Sequence, residues 1–204
     1  YNEVQKREAN QERVRVGLIG AGKFGSMFLS QVPFSVGLEV ISIVDISVEN
    51  AKKNCRDVGW TKEQIESVLF FDNLKKMVSQ TKIDVLVEAT GDPVEGTKHA
   101  LIAIEEGLDI VMVNVEADVL SGPYLAKEAD KAGIVYSMAY GDQPALTTEL
   151  VEWARASGFN VVAAGKGTKY LPQYHYSTPD TVWDFYGLNS CLLYTSPSPR
   201  DTMS

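Results

Sequence analysis

The sequence predicts an α/β fold of the Rossmann type, a parallel sheet with helices on both faces, followed by the truncated start of a second domain. Three observations predict it. Short apolar runs alternate with longer segments of helical period along most of the chain, and strands of about 5 residues alternating with helices of about 10–15 mean βαβ units and a parallel sheet. The runs are near-continuously apolar, as strands covered by helices on both faces must be. The first run ends in Gly20-Ala21-Gly22-Lys23-Phe24-Gly25, a G-x-G-x-x-G pattern standing between a strand and a helix.

The elements follow in order. Residues 14–19 carry Val14, Val16, Leu18 and Ile19 and form the first strand. Residues 23–32 place Phe24, Met27, Phe28 and Val32 at helical spacing. Residues 38–44 are the second strand, ending at Asp45, and residues 47–58 a helix with Ser47 as N-cap. A short third strand at 68–71 leads to a helix at 73–79. The fourth strand, 85–89, is followed by Asp92-Pro93-Val94-Glu95, which combines an N-cap, a first-turn Pro and an acid. That helix stops near Gly107, and the fifth strand spans 110–115. Gly122-Pro123 opens a helix that ends at Gly133, and the sixth strand spans 134–140. Asp142-Gln143-Pro144 opens a helix to Gly158, and residues 161–164 form a seventh strand.

Composition narrows the function classes. The 204 residues are 45% hydrophobic and 23% charged, which suits a globular chain with a real core. The net charge of -8 argues against nucleic acid as a partner. No run of about 18 apolar residues suggests a membrane span. Two cysteines, Cys55 and Cys191, build no disulfide framework, and a reducing, cytoplasmic setting is expected. No His/Cys/acid cluster has metal spacing, so no metal site is expected.

The glycine pattern has a physical reading. Gly20 permits a tight turn, Gly22 lets the backbone approach a pyrophosphate, and Gly25 allows close helix–strand packing. Ala21, Lys23 and Phe24 complete this candidate cofactor loop, and the helix N-terminus offers free N–H groups to phosphates. Asp45 is either the acid that binds the ribose of NAD or a turn acid before the Ser47 cap. Its charge would repel a 2′-phosphate, which leans toward NAD, although Lys52 or Lys53 are candidates to serve NADP. In open parallel sheets ligands lie beyond the carboxyl ends of the strands. That adds Ala89, Thr90 and Gly91 after the fourth strand, and Asn114 and Glu116 after the fifth, to the cofactor-binding candidates. Asn114 either fixes a carboxamide or caps a turn, and Asp92 reads first as a helix cap. For catalysis, Lys166 and Lys169 in a Gly-rich strand exit suit polarisation of a carbonyl or an anionic substrate. Asp142 is an N-cap or a substrate contact, and His175 a proton donor or a loop residue. His99, in mid-helix, is expected to be structural.

On these residues the chain resembles the homoserine-dehydrogenase-like family of NAD(P)-dependent oxidoreductases, over roughly residues 13–189. The specific segments are Val87-Glu88-Ala89-Thr90-Gly91, Val111 to Asp118, Ala139 to Leu146 and Ala163 to Pro172. They are similar to a branch that carries a C-terminal SAF domain, some members of which are 1-deoxy-D-xylulose-5-phosphate reductoisomerase-like. The resemblance implies a Rossmann domain, a catalytic and dimerisation domain, and a homo-oligomer. It also implies hydride transfer between nicotinamide and a small-molecule substrate. Homoserine dehydrogenases carry a lysine directly after the Asn that ends the fifth strand, where this chain has Val115. The alternative is a regulatory module that binds NAD(P) without catalysis.

The expected organisation is an extension at 1–12, an NAD(P)-binding Rossmann domain at 13–164, and the start of a catalytic or substrate domain at 165–190. Residues 191–204 read as a tail with neither helical nor strand period, and it resembles the translation of a transposase-type sequencing adapter. The native part is then expected to be the N-terminal piece of a larger enzyme.

Overall fold

The computed structural model describes residues 2–140 and 143–165, with the backbone alone at 143–145, and the isolated positions 176, 178 and 181. The chain divides into two compact units, Tyr1–Met138 and Ala139–Ser204. The first unit holds the strands β1 (Val14–Ile19), β2 (Leu38–Val44), β3 (Leu69–Phe71), β4 (Val85–Glu88), β5 (Asp109–Met112) and β6 (Tyr136–Met138). They form one sheet in the order β3-β2-β1-β4-β5-β6, and every neighbouring pair is parallel. The expected fold class is therefore observed. The order reverses between β1 and β4, so the crevice beyond their carboxyl ends is the switch point where such sheets bind ligands.

Helices connect the strands: α1 (Asn2–Ala9), α2 (Lys23–Gln31), α3 (Val48–Asp57), α4 (Lys62–Glu66), α5 (Leu74–Gln80), α6 (Pro93–Glu106) and α7 (Val115–Ala132). Several starts have a local cause. Ser47 accepts from the Asn50 N–H to cap α3. Thr61 and Gln64 form a reciprocal capping box on α4, a short helix that is not among the expected elements. Asp92 accepts from the N–H groups of Val94 and Glu95, with Pro93 in the first turn of α6. Gly107 and Gly133 end α6 and α7 with φ of 67° and 72°, the left-handed geometry that favours glycine.

Two buried clusters explain the continuous apolar strands. Val16, Leu18 and Val40 pack with Leu29 of α2, Ala51 and Cys55 of α3, and Trp60. Ile19, Leu86, Ile110 and Met112 pack with Met77 of α5, Ala100 of α6 and Leu125 of α7. Successive strand residues thus serve opposite faces. Each fully buried Leu or Ile contributes about 1.5–3 kcal/mol. Gly17 leaves room for this packing, since a Cβ there would lie 3.0 Å from Ile83, Leu86 and Met77.

Four features differ from expectation. The fifth strand ends at Met112, and α7 begins at Val115, well before the expected start at Gly122-Pro123. The Asn114 side chain accepts from the Ala117 N–H and so starts the helix early. Pro123 then sits inside α7, where it removes one backbone bond. Buried Ala117 on one side and buried Leu125 and Ala129 on the other hold the helix through that gap. The sixth strand is shorter than expected, and the seventh does not form. Residues 161–164 have no ladder partner among the described residues, and Val162 is 89% exposed. An apolar run without a neighbouring strand leaves its backbone groups to water, so β propensity alone does not make it a strand. In the second unit the expected helix is observed as α8 (Gln143–Ala156). No helix among the described residues is long and apolar enough to cross a membrane.

The starts of β1 and β4 are joined by an ion pair. Arg15 donates from Nε and its backbone N–H to Asp84 Oδ2, at 2.9 and 2.8 Å, and from a terminal nitrogen to Oδ1 at 2.6 Å. The Arg15 guanidinium holds the Asp84 carboxyl down at about 2, against the opposing effect of partial burial. The folded-state value lies below the unfolded value of about 3.9, so the pair stabilises above that pH and is lost as pH falls toward about 2. Both side chains keep about a third of their exposure, which limits the pair to about 1 kcal/mol. Urea unfolding of Asp84→Asn should show that loss at pH 6 and little difference from wild type at pH 2.

Candidate functional site

The site is built on the turn between β1 and α2. Gly20 donates to Val44 O at 2.8 Å, prolonging the ladder by one residue, and then turns with φ of 89°. A Cβ on Gly20 would lie 3.0 Å from Ala89 C and from Thr90 Cα and N, so the β1 and β4 exits meet there with no room for a side chain. A Cβ on Gly25 would lie 2.0 Å from Gly20 O, which makes glycine obligatory where α2 packs on the turn. Gly22 is different. It caps α2 without a side-chain bond, and a Cβ there would meet nothing within 4 Å. The first amides of α2, which have no intrahelical acceptor, therefore sit beside open space at the positive end of the helix. Lys23 and Phe24 are exposed in that first turn. The buried Ala21 is fixed by its carbonyl, which accepts from Ser26 Oγ at 3.0 Å and Asn54 Nδ2 at 2.8 Å.

Asp45 closes the adjacent edge. Its Oδ2 accepts from the Ala21 N–H and its Oδ1 from the Ser47 N–H, both at 2.9 Å. The turn reading of Asp45 is the one these bonds display, since it holds the turn before α3, and the same carboxylate also touches the glycine loop. A carboxylate has about four lone-pair sites, so each oxygen keeps capacity for a further donor. Next to it Ile46 is fully exposed. It borders a shallow cleft of about 570 Å³ with Val48, Glu49, Phe70, Phe71 and Lys76.

The β4 and β5 exits form the other border. Ala89 is buried, while Thr90 and Gly91 are half-buried and Gly91 turns with φ of 77°. Asn114 is 2% exposed and its amide is engaged within the chain. It accepts from the Ala117 N–H at 3.0 Å and donates to Asp92 O at 2.8 Å and to Thr90 Oγ at 3.4 Å. The capping alternative for Asn114 is thus the one the geometry displays. Glu116 stands half-buried in the first turn of α7.

Sequence reasoning missed Glu88 as a site-supporting residue. It is 0% exposed at the end of β4, and its Oε1 accepts from Thr90 Oγ and lies 3.1 Å from His99 Nδ1. The available signal was an acid closing an otherwise apolar strand, with a histidine 11 residues on. Further out, burial and then the bond to Asp118 push the Tyr136 phenol well above its ordinary value. Burial pushes the Cys55 thiol up to about 11, which marks it as core packing rather than a nucleophile. The four catalytic candidates Asp142, Lys166, Lys169 and His175 lie outside the described residues.

Residues 14–116, just over half of the 204, match the GFO/IDH/MocA model, described as oxidoreductase family, NAD-binding Rossmann fold. The chain belongs to this family. Its β1–β5 region is therefore an NAD-binding Rossmann domain. Residues 141–191 match a second model, oxidoreductase DRL, catalytic domain. No curated protein matches the chain. Among solved structures, the WlbA dehydrogenase from Bordetella pertussis, in complex with NADH and UDP-GlcNAcA, is similar with a TM-score of 0.53 at 20% identity, over 72% of this chain and 40% of that one. Myo-inositol dehydrogenase from Lactobacillus casei, in complex with NAD(H) and myo-inositol, gives 0.52 at 18%, over 69% and 42%. An NAD-binding oxidoreductase from Klebsiella pneumoniae gives 0.51 at 18%, over 72% and 39%. At these identities the likeness is one of fold, and the chain spans about two fifths of the length of each structure. The matches support the oxidoreductase family at this level and do not point to homoserine dehydrogenases specifically.

The two glycines of the family's loop should separate folding from binding. Gly25→Ala should cost about 3 kcal/mol by overpacking against backbone, read as a lowered urea midpoint. Gly22→Val should cost within about 1 kcal/mol, as a poorer helix cap, yet weaken NADH binding at least about tenfold, read by fluorescence titration.

Proposed function

We propose that the chain carries the cofactor part of an NAD-dependent dehydrogenase or reductase acting on a small polar hydroxyl or carbonyl compound. The observation that carries this reading is the open cradle at Gly22, beside the α2 amides and within the loop that Asp45 holds through the Ala21 N–H. These residues fit a dinucleotide. The α2 amides and Gly22 would hold the pyrophosphate. The remaining lone pairs of Asp45 would accept from ribose hydroxyls, and its charge disfavours a 2′-phosphate, so NAD is preferred over NADP. Ile46 offers an exposed apolar surface for the purine. The Ala89-Thr90-Gly91 turn, with Asn114 behind it, borders the nicotinamide end.

When bound, the nicotinamide supplies or takes up the hydride. The chain's own part of the chemistry falls to residues within 141–191, the segment similar to an oxidoreductase catalytic domain. All four candidates lie there. Lys166 or Lys169 would polarise the substrate oxygen, and Asp142 or His175 would take or give the proton. A pair of lysines also suits a phosphate-bearing substrate and reductoisomerase-like chemistry. The SAF-domain relationship and a homo-oligomer belong to the same proposal and rest on the sequence segments quoted above.

Titration with NADH and NADPH tests the cofactor reading. NADH should bind more tightly, and Asp45→Ser should narrow the difference. Equal affinity for the two in wild type would remove the role given to Asp45, and binding of neither would remove the dinucleotide reading. In the full-length enzyme Lys166→Met should lower kcat by about 100-fold or more; unchanged turnover would reject that assignment.

A further inference from the structure

The end of β4 holds a buried carboxylate whose connections go beyond the packing of the sheet. Glu88 is fully buried on the same strand face as Leu86, toward α6 and α7. One oxygen does all its bonding. Oε1 accepts from Thr90 Oγ–H at 2.5 Å and from the Thr90 N–H at 3.4 Å, and lies 3.1 Å from His99 Nδ1. Oε2 has no partner among the described residues. The Thr90 hydroxyl in turn accepts from the Asp92 N–H and from Asn114 Nδ2, each at 3.4 Å. Asn114 continues to Asp92 O and to the first turn of α7. The end of β4, the middle of α6 and the start of α7 are thus closed into one polar network around Thr90.

We propose that Glu88 is a positioning residue for the nicotinamide side of the cofactor pocket, fixing the Thr90–Asp92 turn while His99 fixes Glu88. This rests on the NAD reading of the site. The hydroxyl hydrogen of Thr90 is committed to Glu88, so its rotation is no longer free and its backbone follows. That backbone lies against Gly20 with no space for a Cβ between them. The turn therefore sets how the nicotinamide border stands against the phosphate loop. The adenine side is held by different bonds: the Ala21 N–H donates to Asp45, and Asn54 and Ser26 both donate to the Ala21 carbonyl. Two separate networks hold the two halves of one pocket, so a change at Glu88 should be felt by the nicotinamide and not by the rest of the dinucleotide.

The experiment compares NADH with ADP-ribose, which lacks the nicotinamide, by calorimetric titration of the whole chain. Glu88→Leu keeps the volume and removes the acceptor. It should weaken NADH at least about tenfold, the scale of a hydrogen bond to a charged group, with ADP-ribose within about twofold. Glu88→Gln keeps an acceptor oxygen toward Thr90 and His99 and should restore most of the loss. Hydrogen exchange of the ligand-free chain should quicken at residues 90–92 in Glu88→Leu and not at the Ala21 amide. Equal weakening of both ligands, unchanged NADH binding, or a Gln variant no better than Leu would overturn the proposal. If wild type binds neither ligand, the NAD reading fails by itself. The exchange result still judges the clamp: faster exchange at 90–92 supports it and unchanged exchange overturns it.

Discussion

The first turn of α2 rests directly on the carbonyl of Gly20, and most of the nucleotide end depends on that contact. With any side chain at position 25 the helix would have to stand off, since a Cβ there falls 2.0 Å from that oxygen. Standing off would move the α2 amides away from the switch point and release the Ala21 carbonyl from Ser26. The same turn has a second tight face, where Gly20 meets the backbone of Ala89 and Thr90. Glycine is therefore demanded at 20 and 25 by the protein's own packing, and at 22 by nothing in the protein. The difference is informative: a position kept open without an internal reason is the one that suits a ligand's approach.

Much of this was legible in the sequence because its causes are local. Strand and helix alternation followed from apolar runs, and the caps at Ser47 and Asp92 and the stops at Gly107 and Gly133 followed from single residues acting within one turn. The glycine loop was legible because its steric demands are written at fixed spacing. What escaped depended on contacts between distant segments. Asn114 starts α7 because its amide also reaches back to Asp92 and Thr90, a bond across 22 to 24 residues that no local pattern announces. The Gly122-Pro123 pair looked like a helix start because proline is common there, yet the helix was already anchored upstream. The run at 161–164 has strand composition without a described strand beside it, and pairing is what makes a strand. Glu88 and His99 were each unremarkable alone; only the fold brings them to 3.1 Å.

The charged groups at the strand exits also bear on where the chemistry resides. Asp45 is held by two backbone amides, Asp92 by the amides of Val94 and Glu95, Glu88 by Thr90 and His99, and Asp118 by the Tyr136 hydroxyl. Each carboxylate thus acts as a fixed acceptor that shapes a turn or orients a neighbour. A general acid or base needs the opposite condition, a group reached by the substrate and able to exchange its proton there. Cys55, buried with its thiol raised to about 11, has no such access either. The Rossmann unit is furnished for holding a dinucleotide. Its described carboxylates are engaged in holding turns and neighbours, and it is residues 141–191 that match a model described as an oxidoreductase catalytic domain.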